Sequence, residues 1–183
     1  MSQSAPTARY WPDAPFPPYA YVPGRTPHPQ RDTGGHGVQL DPADIVPVNP
    51  AEWRTCAAFC YGVDLFNAGY PWEAHEAWED LWRGYPDGAI AAAMLAGLIK
   101  LAAAGVKARV GNATGVARTL AKGDRIFAGL AEADLFGLSP TALRSATASA
   151  DADAAADAGA LPFRLIPGDS ATGGVRSVRP PRA

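Results

Sequence analysis

Gly88-Ala89-Ile90-Ala91-Ala92-Ala93-Met94-Leu95-Ala96-Gly97-Leu98-Ile99-Lys100-Leu101 decides the fold, because wound on a helix it is apolar almost all the way round. A helix with no broad polar face has to sit among other elements. Carried on to Val110 and stopped by Gly111-Asn112, it predicts a central helix over 88–110 with Asp87 as its cap.

The neighbours follow from punctuation on either side. Upstream, Pro71 opens a short helix to Gly84 whose apolar stripe is Ala74, Trp78, Leu81 and Tyr85. Before that, Asn49-Pro50-Ala51-Glu52 combines a capping residue, a proline suited to the first helical position and a capping-box glutamate. It predicts a helix over about 50–68 with Cys56, Phe59, Val63, Phe66 and Tyr70 on one stripe and Gly69 as its stop. Downstream, Val116, Leu120, Ile126, Phe127 and Leu130 mark a fourth helix, and Ser139-Pro140 caps a fifth. Beyond Arg144 the chain is mostly Ala, Ser and Asp, with little to bury. Leu161 to Pro167 is an apolar patch expected to dock on the bundle, and Gly168 to Ala183 is expected to be a disordered tail.

The first 48 residues are crowded with proline and glycine, so neither helix nor sheet propagates there. Yet Tyr10, Trp11, Phe16, Tyr19 and Tyr21 are too many aromatics for a solvated linker, and part of this arm is expected to lie along the domain. The expected fold class is all-α: a compact bundle of four to five helices with an extended Pro/Gly-rich N-terminal arm. The expected organisation is 1–48 arm, 49–158 helical domain, and 159–183 docking segment with tail.

Composition narrows the function classes. A net charge of −2 with 48% hydrophobic residues offers no basic footprint for nucleic acid. The longest apolar stretch, 88–98 with Lys100 just beyond, is short for a bilayer, and no targeting segment is visible, so no membrane is expected. Cys56 and Cys60, four apart in a helical pattern, suit core packing in a reducing compartment, and the expectation is a cytoplasmic, bacterial protein. Gly34-Gly35-His36-Gly37 is not a phosphate loop, and neither a Gly-x-Ser-x-Gly elbow nor a His-Glu-x-x-His pair is present.

One constellation carries chemistry. At 100° per residue, His75, Glu79 and Trp82 fall within about 60° of one another, with Trp72 and Glu76 extending the face. A His and a Glu one helical turn apart can share a divalent ion.

With Phe66-Asn67-Ala68-Gly69-Tyr70, Trp72-Glu73-Ala74-His75-Glu76-Ala77-Trp78-Glu79-Asp80-Leu81-Trp82, Gly97-Leu98-Ile99-Lys100-Leu101-Ala102-Ala103 and Gly111-Asn112, the chain resembles the bacterial and archaeal domain of unknown function 309. The likeness covers residues 50–130, and the arm segment from Tyr21 to Pro29 is similar to that of a subset of relatives. It implies the family's His-x3-Glu-x2-aromatic motif at His75, Glu79 and Trp82, for which a metal role has been suggested. Lys100 stands where several relatives carry glutamine, a cation that could pair with Glu76 or Glu79 and make a metal unnecessary.

Two main readings stay open. In the first, His75 and Glu79 bind zinc, iron or manganese, with Glu76 as a further ligand or general base. His28 and His36 complete the shell if the arm folds over, and Trp72, Trp82, Lys100 and Asp64 line the pocket. A metal-dependent hydrolase or oxidoreductase acting on an unidentified small molecule would suit such a site. In the second, the chain is a non-catalytic module that binds a partner protein or itself as a homo-oligomer, and His75, Glu76 and Glu79 form a structural polar network with Lys100 or Arg109. A metal-free acid/base site built on His75 is a third, smaller variant.

Overall fold

The computed structural model describes residues 9–37, 40–131, 135–168 and 174–178. At its centre is α3 (Ile90–Arg109), packed on α2 (Pro71–Arg83) and on α4 (Ala113–Ala128). α1 (Ala57–Ala68) packs on α2, α5 (Pro140–Ser149) packs on α4, and the short α6 (Ala152–Ala158) rests on α3 and α4. Met94, Leu95, Leu98, Leu101 and Ala102 of α3 are fully buried, as its unbroken apolar pattern requires. α3 accommodates Lys100 and runs for 20 residues, so by length and composition it could cross a bilayer; 61% of its apolar window is covered by the bundle.

Two glycines let the helices approach. A Cβ on Gly62 of α1 would lie 2.2 Å from Trp78 Nε1, and one on Gly97 of α3 would lie 2.2 Å from Phe127 Cε1. Both rings are fully buried, so each glycine is the hole that an aromatic knob fills.

Three local expectations need correction. The helix expected over 50–68 is broken: Pro50–Thr55 is a 3-10 turn, Cys56 is extended, and α1 starts at Ala57. Asn49 does cap the turn, accepting from the Ala51 amide at 3.1 Å. The break turns Trp53 inward, where its ring meets Tyr10 at 5.8 Å and Phe59 at 6.0 Å. Asp87 does not cap α3; Gly88, at φ 77°, turns the chain and Ala89 takes the cap position without a side-chain bond. Finally, the fold is mostly helical but not purely so. β1 (Phe163–Ile166) pairs antiparallel with β2 (Gly174–Ser177), which lies inside the stretch expected to be a tail. The rest of that stretch, 169–173 and 179–183, falls outside the described residues.

Within the apolar patch Phe163 and Leu165 are buried. Asn67 of α1 secures it by pairing with the Leu165 backbone, donating from Nδ2 to the carbonyl and accepting the amide at Oδ1, each at 2.8 Å. A further core element, the tight turn Leu135 to Leu138, carries no period that the sequence would reveal. Within it Phe136 adopts φ 56°, a left-handed conformation uncommon for a non-glycine residue, and stacks on Phe59 at 4.7 Å.

The arm is held by buried carboxylates as well as by aromatic contacts. Asp64 of α1, 6% exposed, accepts the amides of Tyr10 at 2.9 Å and Trp11 at 2.8 Å and meets Arg9 Nε at 3.4 Å. Arg9 in turn donates to the Trp11 and Ala14 carbonyls and stacks over Phe16. Phe16 itself lies flat on Tyr70, 5.4 Å between ring centres.

Candidate metal centre

α2 supplies every residue of the cluster. Its apolar side, Ala74, Ala77, Trp78 and Leu81, is buried, which forces His75, Glu76 and Glu79 onto the flank facing outward. All three are about 30% exposed. His75 Nδ1 lies 3.3 Å from Glu76 Oε1 and 3.5 Å from Glu79 Oε2. One ligand atom from each of the three lies within 4.8 Å of the others, the single such group among the described residues. Glu79 is oriented from behind: its other oxygen, Oε1, pairs with Arg83 Nη2 at 3.1 Å, and Arg83 also holds Asp80 at 2.7 Å.

The remaining candidates are placed elsewhere. His28 meets the edge of Trp72, 5.3 Å between centres, and its Nδ1 accepts the Gln30 amide. His36 donates from Nδ1 to the Gly37 carbonyl and turns Nε2 to Glu73 Oε1 at 3.1 Å, its side chain 2% exposed. Neither arm histidine joins His75, because edge-to-face aromatic contacts claim the first and a buried carboxylate the second. Asp64 is committed to the arm backbone, a correction to its expected place beside the cluster. Lys100 points its Cβ toward Gly123 of α4 and has no ion pair with Glu76 or Glu79 among the described residues. Arg109 donates to the Gly69 carbonyl at the end of α1. Among the described residues the network expected with Lys100 or Arg109 is therefore not formed and the cluster's partners all lie on α2; contacts within one helix cannot fix how two helices pack. Trp72 lines a cleft beneath the arm, whereas Trp82 is 41% exposed.

Cys56 and Cys60 are free, buried thiols. Cys60 Sγ donates to the Trp53 carbonyl at 3.3 Å, and burial pushes its thiol up to about 12, which suits packing rather than reactivity.

Glu73 is the buried acid under the arm that the sequence pattern does not single out. It is the one buried charged side chain of α2, 5% exposed, and the only available signal was its position about 40° from Ala77 on the apolar side.

The class defined so far is a mostly helical domain with a histidine–carboxylate cluster on one helix and an arm tied down by buried acids. Residues 59–119, from α1 into α4, match the model of the family described as Domain of unknown function (DUF309), and this span contains the whole cluster. No curated protein matches the chain.

Proposed function

We propose that the chain is a metal-binding protein that holds one divalent ion, zinc, iron or manganese, between His75 Nδ1, Glu79 Oε2 and a Glu76 oxygen. The supporting observation is the spacing of the donors. Bonds of roughly 2.0 to 2.2 Å at a tetrahedral angle set ligand atoms about 3.3 to 3.6 Å apart. The two histidine–carboxylate separations, 3.3 and 3.5 Å, match that interval. The donor set, one imidazole and two carboxylates, suits these borderline and hard ions.

Three ligands from one partly exposed helix face leave the remaining coordination positions to water or to a substrate, the arrangement of a catalytic rather than a closed structural site. Bound there, such an ion would polarise a coordinated oxygen and lower the pKa of a bound water. The chain's own residues orient it. Arg83 fixes the Glu79 carboxylate through the oxygen that faces away from His75, and Glu76, adjacent in sequence, serves as third ligand or as a proton acceptor beside it.

Elemental analysis of the full chain, purified without a histidine tag and reconstituted with zinc, iron or manganese, tests this. The expected result is about one equivalent of metal, lost in His75→Ala and in Glu79→Ala. A chain that stays metal-free after reconstitution would overturn it. The reading then left standing is an interaction module, supported by the exposed Trp82 and Ile90, 41% and 45% accessible, at the end of α2 and the start of α3.

A further inference from the structure

A cavity of about 150 Å³ lies where α1 and α3 end and α2 begins, bounded on its other side by the chain around β1 and β2. Phe66, Pro71, Leu161, Phe163 and Val178 give it apolar walls. Among the described residues its charged lining consists of two cations, Arg109 and Arg164. His75, Glu76 and Glu79 take no part in it.

Arg109 is half-buried in the last turn of α3, and a guanidinium keeps its charge. Of its five N–H donors, one meets the Gly69 carbonyl at the end of α1. A Cβ at Gly69 would come within 3.0 Å of the same nitrogen, so the bare residue lets the guanidinium lie against α1. That carbonyl and the negative end of α3 answer part of the charge. No carboxylate does: Arg109 has no ion pair among the described residues, and neither Asp nor Glu lines the cavity. A half-buried cation without a counter-ion is unfavourable, and an anion seated in the cavity relieves it.

Volume and walls narrow the anion. A cavity of about 150 Å³ has room for a body the size of a benzene ring. Inorganic phosphate would leave the walls of Phe66, Leu161 and Phe163 uncovered, whereas a carboxylate matches the planar guanidinium and can carry an apolar body. We propose that this cavity binds a small monocarboxylate, its head on Arg109 and its apolar body against Phe66, Leu161 and Phe163. Arg164, an exposed lining residue on β1, adds positive potential that favours the entry of an anion.

The test is a titration of the ¹⁵N-labelled full chain with sodium benzoate, set against neutral benzamide, sodium phosphate and sodium chloride at matched ionic strength. The expected result is a saturable shift of the Gly69 and Gly105 amides, both in the lining, with benzoate. Benzamide should bind about tenfold or more weaker, and phosphate should do no more than chloride. Arg109→Gln should weaken benzoate binding by about tenfold or more, and His75→Ala should leave it unchanged. Should Arg109→Gln release the end of α1, the comparison of benzoate with benzamide on the natural chain decides alone. Absence of a saturable shift, equal binding of benzamide, or phosphate held as tightly as benzoate would overturn the proposal. Because His75→Ala abolishes the proposed metal site and leaves this cavity intact, the two readings fail independently.

Discussion

At the scale of the residue, function depends on which oxygen of a carboxylate faces which neighbour. Glu79 gives Oε2 to His75 and Oε1 to Arg83, so in the proposed site Arg83 would hold a ligand rather than the ion. Arg83→Ala is expected to weaken metal binding by about 10- to 100-fold without abolishing it, read by competition with a chelator of known affinity. An unchanged affinity would show that Glu79 needs no support. Cys60 shows the opposite use of burial. Its thiol is raised from the ordinary 9.0 to about 12, mainly by desolvation, with Cys56 and Asp64 adding to the shift. Between these values the unfolded chain releases a proton that the folded chain retains. The stability linked to Cys60 is therefore present in full below about pH 9 and is lost as pH rises toward 12. Denaturant midpoints measured across this window should fall for the natural chain and fall less steeply for Cys60→Ala.

At the scale of the element, the helices are held at close range by glycines facing aromatic rings. The cap at Asn49 and the stop at Gly69, φ 86°, follow from local chemistry and were legible as such. The break at Cys56 was not, because it exists to bring Trp53 against Tyr10 and Phe59, partners far away in sequence or on the next element. Gly97 is a similar case. Within a helical run it reads as a small loss of propensity, yet it receives the buried ring of Phe127. Gly97→Ala, which would favour an isolated helix, is thus expected to destabilise the protein by about 1 to 3 kcal/mol, measured by chemical denaturation. A stabilised variant would mean that α3 and α4 separate at little cost.

At the scale of the whole molecule, the arm is part of the fold and not an appendage. Two buried acids, Asp64 and Glu73, reach its backbone at Tyr10, Trp11 and Tyr21. Asp64→Ala removes the acceptor for two amides and the partner of Arg9. The expected loss is about 2 to 4 kcal/mol, together with faster proteolytic cleavage near residues 9–16. An arm cut no faster than in the natural chain would show that its aromatic contacts suffice.

The sequence by itself determined that helices form, roughly where they start and stop, and that His75, Glu76 and Glu79 share one flank of α2. Each of these depends on residues within a turn or two of one another, where helical geometry alone fixes the neighbours. Only the tertiary structure decided that His28 meets Trp72 edge to face, that His36 turns to Glu73, that Lys100 faces α4, and that residues 174–177 close a strand pair on Phe163. Those outcomes depend on what packing brings beside a side chain from a distant part of the chain, and a lone charge or ring carries no local mark of which neighbour will satisfy it.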